Sequence, residues 1–406
     1  VLNNIKTNQL IDLNMFNGIK KSNLDNKVSP SLFMETLEDL PFIYTHKENE
    51  FNDYDYQVLL PHKLSQFGPA MAKGDVNNDG IEDVFIGGAF GFEASLFIAD
   101  KNGGFSKMQD DIWKNVDALF VDINGDGFLD LYVVSGGNEY EANDPNYMDR
   151  LYLNNGKGGF TKGDILNNVP VSGSKVVAED YDNDGDLDLF VGGRHMPHHY
   201  PRPVTSMFLK NENGQLINRT MEIAPELKNL GMVTDAVWSD YDNDGQKDLI
   251  LVGEWMPITI FKNNNGILKK QFNPALDATS GWWFSLDQGD FDQDGDIDLI
   301  AGNIGLNYKY KTSTEKPFDI YYNDFDNNGS YDIVLGYYNG EKHYPLRGFS
   351  CSSEQIPGLK DKIKKYDLFA SLEIDQVYGK ENLETSLHYK ADTFASSYVE
   401  NLGNGN

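Results

Sequence analysis

The chain has 406 residues, 40% of them hydrophobic and 24 Phe, 22 Tyr and 5 Trp among them, which excludes a disordered chain and provides for a large core. Its formal charge of −29, from 34 basic and 63 acidic residues with no basic stripe, excludes nucleic-acid phosphate as a partner. There is no run of 18 apolar residues, hence no membrane span in this chain, and the lone Cys351 excludes an intrachain disulfide.

Residues 1–30 are polar, rich in Asn and Lys, and without a clear period, so a linker or N-terminal extension is expected there. Six copies of one acidic loop follow: DVNNDGIED from Asp75, DINGDGFLD from Asp122, DYDNDGDLD from Asp180, DYDNDGQKD from Asp240, DFDQDGDID from Asp290 and DFDNNGSYD from Asp324. Each carries oxygen-bearing side chains at positions 1, 3, 5 and 9 and a glycine at 6. Calcium takes six to eight oxygen ligands, and alternate oxygens around a glycine turn, with the carbonyl of position 7, can wrap one ion.

The first loop thus offers Asp75, Asn77, Asp79 and Asp83 with the Ile81 carbonyl, and the second Asp122, Asn124, Asp126 and Asp130 with that of Phe128. The third offers Asp180, Asp182, Asp184 and Asp188 with Asp186, and the fourth Asp240, Asp242, Asp244 and Asp248 with Gln246. The fifth offers Asp290, Asp292, Asp294 and Asp298 with Asp296, and the sixth Asp324, Asp326, Asn328 and Asp332 with Ser330. About six Ca²⁺ are expected. A plain hairpin needs only the central Asp-Gly and gives no reason for oxygens at the other fixed positions. An EF-hand needs Glu at position 12, where this chain has Ile86, Val133, Val191, Leu251, Ala301 and Leu335.

The loops start 47, 58, 60, 50 and 34 residues apart, a period that with several short strands per unit suits a propeller. Around the third loop, KVVAED and DLFVGG read as strands and SMFLKNENGQLINRT as a hairpin; LYLNNGKGGFTKG and ITIFKNNNGILKKQF are equivalent hairpins. Four strands per unit predict an all-β fold, a β-propeller of four-stranded blades over residues 31–406. Within it, residues 351–390 have Leu359, Ile363, Tyr366 and Phe369 near helical spacing, which predicts a small helical insertion. SYVENLGNGN from Ser397 reads as the opening of a further, truncated blade, so a seven-bladed intact protein and a longer polypeptide are expected.

These loops, with the stretches YMDRLYLNNGKGGF, DLFVGGRHMP, GMVTDAVWSDYDNDGQKDLILVGEWMPI and DLIAGNIGLN, resemble the FG-GAP, or VCBS, repeats of integrin-like propellers. The resemblance extends from about residue 31 to the end, to the large exported VCBS-repeat proteins of Bacteroidetes-type bacteria. It implies a calcium-loaded propeller at the cell surface or outer membrane. Extracellular modules that bind calcium at about 10⁻⁴–10⁻³ M work only where the ion is abundant, which also points outside the cell.

If the acidic loops face one end of the propeller, the segments after each second strand face the other. Those segments supply Asn138, Glu139, Arg194, His195, Glu254, Trp255 and Asn303, with Trp282 and Trp283 opening a neighbouring strand. Aromatics beside carboxylates, amides and an arginine suit a sugar or peptide surface, or else loop-to-loop bonds that close the channel. The three His of RHMPHHY could hold a transition metal but have no evident further ligand. No catalytic motif is present. The reading is therefore a non-catalytic calcium-stabilised propeller binding a glycan or a protein. The alternatives are a structural docking module of an envelope assembly, or a polysaccharide lyase resting on Arg194 and His195.

Overall fold

The computed structural model describes residues 44–109, 116–163 and 169–403; the expected N-terminal linker over residues 1–30 lies outside them. Three sheets repeat one pattern, an antiparallel meander in sequence order: β1–β4 (Met71–Gly74, Asp83–Ile86, Ser95–Ala99, Phe105–Gln109), β5–β8 (Asp117–Val121, Asp130–Val134, Arg150–Asn154, Phe160–Gly163) and β9–β12 (Gly173–Glu179, Asp188–Gly193, Met207–Asn211, Leu216–Asn218). A fourth set, β13–β16 (Met232–Ser239, Asp248–Met256, Thr259–Asn263, Leu268–Lys270), repeats it again. In every case the acidic loop joins the first strand to the second. This is a β-propeller of four-stranded blades.

The second strands of blades two to four are buried on both faces, because each of these blades packs between two neighbours, so they read as continuous apolar runs; in the fifth blade Ile300 of β18 is exposed. The period of two then assigns each side chain to a side. In β10, Leu189 and Val191 pack toward the second blade, while Phe190 packs toward the fourth. In β14, Leu249 and Leu251 face the third blade, and Ile250 and Val252 face the strands of the fifth. First strands of successive blades run side by side. There Asp117 accepts from the Val176 N–H (2.8 Å) and Asp235 from the Leu286 N–H (2.8 Å), and Lys175 stands 3.9 Å from Asp117 and 3.3 Å from Asp235.

The end of the chain departs from expectation. The fifth blade is begun by β17 (Gly281–Gly289) and β18 (Asp298–Asn303), and the strand that pairs with β18 is β23, Ser397–Val399. Ser397–Val399 is therefore the third strand of the fifth blade and does not open a seventh. Between β18 and β23 runs a separate sheet, β19 (Phe318–Asn323), β20 (Asp332–Asn339), β21 (Lys342–Pro345) and β22 (Leu387–Ala391), in the order β21-β20-β19-β22. The sixth acidic loop joins β19 to β20, so it belongs to this inserted sheet, whose strand order is not that of a blade. Five short helices lie between β21 and β22, from Phe349–Gln355 to Lys380–Glu384, and bury Ile356, Leu359, Ile363, Phe369 and Val377 against Phe325 and Val334.

The other side of the inserted sheet presents Phe318, Ile320, Tyr322, Ile333 and Leu335. They share a core with Leu59, Leu60 and Leu64 and with Tyr200, Met232, Trp255 and Trp282 of the blades. Residues 53–67 and the inserted sheet thus cap one end of blades three to five. Among the described residues no helix is long and apolar enough to cross a membrane.

Candidate metal loops and the capped face

The six loops share one backbone turn. Their fourth residue is left-handed in every case, with φ between +56° and +71° at Asn78, Gly125, Asn183, Asn243, Gln293 and Asn327. The glycine at position 6 has φ between +85° and +99°, and a Cβ there would meet nothing within 4 Å. Conformation, not space, demands glycine. The first Asp wraps the turn: Asp75, Asp122, Asp180, Asp240 and Asp324 each accept from the N–H groups of the fifth and sixth residues.

The ninth position is the buried one. Asp83, Asp130, Asp188, Asp248, Asp298 and Asp332 are at most 2% exposed. In all five blades this Asp accepts the N–H of a residue at the end of the third strand or just past it: Ala99 (2.8 Å), Asn154 (2.8 Å), Asn211 (2.7 Å), Asn263 (2.7 Å) and Asn401 (2.9 Å). Position 9 therefore orders the loop and ties it to the blade. Burial, with neighbouring carboxylates adding, pushes Asp188, Asp248 and Asp332 up to about 7, against the backbone N–H groups that each accepts.

Four clusters fit a cation. Carboxylate oxygens of Asp180, Asp182 and Asp184, of Asp240, Asp242 and Asp248, of Asp290, Asp292 and Asp294, and of Asp324, Asp326 and Asp332 each lie within 4.8 Å of one another. The fit has a second sign in oxygens that are buried and accept no hydrogen bond: Oδ1 of Asp182, Asp242 and Asp326, and Oδ2 of Asp188 and Asp248. A buried carboxylate oxygen without a donor is costly unless a cation faces it. The first two loops have Asn77 and Asn124 at position 3 and form no such triple of carboxylates.

A family model for the FG-GAP-like repeat matches residues 75–133, 122–191 and 240–301. The chain carries FG-GAP-like repeats. The matched segments take in loops one to five, on the five blades, and stop short of the sixth loop. No curated protein matches the chain. Among solved structures, an Agrocybe aegerita lectin, described by its specific recognition of non-reducing terminal N-acetylglucosamine, aligns at 15% identity and a TM-score of 0.39, over 79% of this chain and 71% of the lectin. The V. cholerae biofilm matrix protein Bap1 aligns at 13% identity and a TM-score of 0.29, over 80% of this chain; the chain spans 50% of Bap1.

One element of the FG-GAP blades escaped the sequence reading. The Asn that follows Leu153, Lys210, Lys262 or Glu400 donates its side-chain amide to two carbonyls. Asn154 reaches Val76 O (2.7 Å) and Leu129 O (2.9 Å), Asn211 reaches Ile123 O (2.8 Å) and Leu187 O (3.3 Å), Asn263 reaches Tyr181 O (2.6 Å) and Lys247 O (3.1 Å), and Asn401 reaches Tyr241 O (2.7 Å) and Ile297 O (3.3 Å). In each pair the first carbonyl belongs to the loop of the preceding blade and the second to the blade's own loop. The signal was visible as an Asn in register in LYLNN, FLKNE, IFKNN and YVENL, but Asn in a hairpin reads first as a turn residue.

The residues expected to form an open ligand face are mostly covered. Trp255 is 4% exposed, Trp282 2% and Trp283 0%; Trp255 and Trp282 pack with Phe318 of the inserted sheet, and Trp283 donates to Thr279 O (3.0 Å). Glu254 is buried, accepts from Arg194 and from Tyr200 Oη (2.7 Å), and stands 3.2 Å from His62 Nε2. Arg194 lies over the Phe67 ring at 3.6 Å. Asn138 is buried, donates to Asp53 (3.0 Å) and accepts from the His198 N–H (2.8 Å). Glu139 accepts from Asn49 (3.0 Å), Asn303 donates to Thr393 O (3.1 Å), and His195 is fully buried. Four of these polar groups hold the cap down, because Asn49, Asp53, His62 and Phe67 of the cap meet Glu139, Asn138, Glu254 and Arg194. The other two His of that loop part company: His198 stacks on Tyr56 and His199 bonds Tyr322 Oη (2.8 Å).

A pocket of about 280 Å³ remains beside Arg194 and His195, lined also by Asp117, Lys175 and Asp235, and a cleft of about 490 Å³ lies beside the inserted sheet, lined by Tyr337, Asn339, Tyr344, Arg347, Phe349 and Tyr366. Tyr366 is 66% exposed and meets Phe349 edge-on, with ring centroids 5.2 Å apart.

Proposed function

We propose that this chain is a non-catalytic, calcium-stabilised β-propeller, part of a larger exported polypeptide, that works at the cell surface by binding a glycan or a protein partner. The carrying observation is the set of four carboxylate clusters, three of which, in loops three, four and six, have buried oxygens without donors; loops three to five lie in the segments matched by the FG-GAP-like repeat. A hard cation with flexible, many-oxygen coordination suits these sites, and calcium is that ion where it is plentiful. Among the chain's own residues, the side chains at positions 1, 3, 5 and 9 and the carbonyl at position 7 would hold it. The ion supplies charge neutralisation and no reaction step.

For the ligand, the tyrosine-lined cleft supports a glycan better than the capped end does. Sugar rings stack on exposed aromatic faces while amide and guanidinium groups meet their hydroxyls. Tyr337, Tyr344 and Tyr366 provide such faces, with Asn339 and Arg347 beside them. The test is a glycan array with calcium-loaded protein, repeated in chelator and with Tyr344→Ala and Tyr366→Ala. Binding to one sugar class that the substitutions abolish supports the reading. A blank array would remove the glycan and leave a protein partner, sought by pull-down.

A further inference from the structure

The third and fourth loops differ from the rest at two linked positions. The third-strand residue before the bridging Asn is Lys210 in the third blade and Lys262 in the fourth, where the second and fifth blades have Leu153 and Glu400 and the first has Ile98 before Ala99. The second loop residue is Tyr181 and Tyr241 in these same two loops, and Val76, Ile123, Phe291 and Phe325 in the others.

The structure shows what the pair does. Lys210 Nζ forms an ion pair with Asp182, stands 3.2 Å from Asp184 and lies 5.9 Å over the Tyr181 ring. Lys262 Nζ repeats this with Asp242, Asp244 (2.8 Å) and the Tyr241 ring (5.8 Å). Both lysine side chains are largely covered, 24% and 21% exposed.

The same two loops carry a second, independent mark at position 9. In loops one, two, five and six, Oδ2 of that Asp accepts the N–H of position 2, at 3.0, 3.2, 3.2 and 3.2 Å. In loops three and four, Asp188 and Asp248 are fully buried and their Oδ2 atoms accept nothing. These two loops therefore have most need of positive charge, and are the two provided with a lysine.

We infer that Lys210 and Lys262 are tethered cations: they hold the third and fourth loops together when calcium is absent and oppose its entry when it is present, so that the fifth loop binds calcium more tightly than either. This rests on the calcium reading above. The third and fifth loops are the nearest pair for comparison, since both carry Asp at positions 1, 3, 5, 7 and 9; their differences include Lys210 against Glu400, Tyr181 against Phe291 and Asn183 against Gln293, so the Lys→Met variants isolate the lysine. A +1 and a +2 charge about 6 Å apart repel enough, even at water-like screening, for roughly a tenfold change in affinity. The proposal thus makes calcium occupancy graded along the chain, with two loops able to empty without coming apart.

The experiment is calorimetric titration of calcium into the metal-free full chain, with melting curves in chelator, for wild type, Lys210→Met, Lys262→Met, the double variant and the double Lys→Arg control. The expected result is that each Met substitution tightens one site about tenfold or more, and that the double Met variant melts lower than wild type in chelator, while the Arg control keeps the wild-type isotherm. An unchanged isotherm together with an unchanged melting curve in chelator for the double Met variant would overturn the proposal. Wild type that takes up no calcium would sink the calcium reading instead, and the melting curves in chelator would then decide the role of the lysines by themselves.

Discussion

Glu254→Gln is the sharpest probe of how the cap is held. Glu254 ends the apolar run of β14, its side chain has no solvent exposure, and three groups from three segments converge on it: Arg194, Tyr200 Oη and His62. The substitution keeps the shape and one acceptor, removes the charge, and leaves the Arg194 guanidinium (7% exposed) without its counter-ion. Breaking a buried pair by removing one partner costs about 3–5 kcal/mol, because the remaining charge stays desolvated. Tyr200→Phe in the same cluster removes the hydrogen bond to Glu254 and the acceptor of the Trp255 Nε1–H, and should cost about 1.5–3 kcal/mol. The order of the two, Glu254→Gln worse than Tyr200→Phe, is the specific expectation. It is measured by urea denaturation in excess calcium, so that the loops are loaded in every variant.

The same cluster fixes a pH dependence. Burial pushes the Glu254 carboxyl up, but the charges of His62 and Arg194 and the bonds from His62 and Tyr200 outweigh it and hold the group well below its ordinary 4.5. A carboxyl depressed in the folded state contributes stability that is complete above the unfolded value and fades as pH falls toward the folded one. The gap between wild type and Glu254→Gln should therefore be flat from pH 8 to about pH 5 and shrink below that. A variant within 1 kcal/mol of wild type at pH 7, or a gap that widens in acid, would refute the claim that a buried ion pair fastens the cap.

Three further expectations can be checked with the same material. Asn211→Ala removes the amide that bridges Ile123 O and Leu187 O and should cost about 1–3 kcal/mol in urea unfolding, since one buried and one partly buried carbonyl lose their donor; a cost below about 0.5 would mean the blades do not need the bridge. Chelator should lower the melting temperature, because each site filled at 100 times its Kd adds about 2.7 kcal/mol, and Asp184→Ala should lower calcium stoichiometry by about one with the fold kept. Burial, against bonds from Ser135 N–H and Tyr132 Oη and the charge of Arg150, pushes Asp149 up to about 7; a carboxyl raised in the folded state loses stability as pH rises, so Asp149→Asn should gain on wild type between pH 4 and pH 7 by an amount on the order of 3 kcal/mol, and a flat difference would refute the shift.

The loops and the blades were legible because their rules are local. Oxygens at alternate positions around a glycine, and second strands such as DLFVGG apolar on both faces, express one ligand geometry and one packing environment in adjacent residues. What was not legible depends on partners far away in the chain. Ser397–Val399 reads as the start of a hairpin, but which sheet it joins is decided by pairing with Leu299–Ala301 across an excursion that local patterns cannot measure. The sixth loop has the right nine residues, yet its sheet is ordered β21-β20-β19-β22, an arrangement set by β22 folding back on β19. Trp255 and Trp282 illustrate the same limit at the level of function. An aromatic beside a carboxylate and an arginine has the chemistry of a sugar platform and equally that of a core edge, and only the hydrophobic cover of Leu59, Leu60, Leu64 and Phe318 separates the two. Once those side chains are in place, Glu254, Arg194 and Asn138 become the polar floor that the cap must satisfy. The open aromatic surface then lies with Tyr344 and Tyr366 on the inserted unit, in the part of the chain that interrupts the repeat. The loops of the blades would then supply stability to a frame, and the insertion would supply recognition, which is the division of labour expected when binding residues sit on segments positioned by a rigid scaffold.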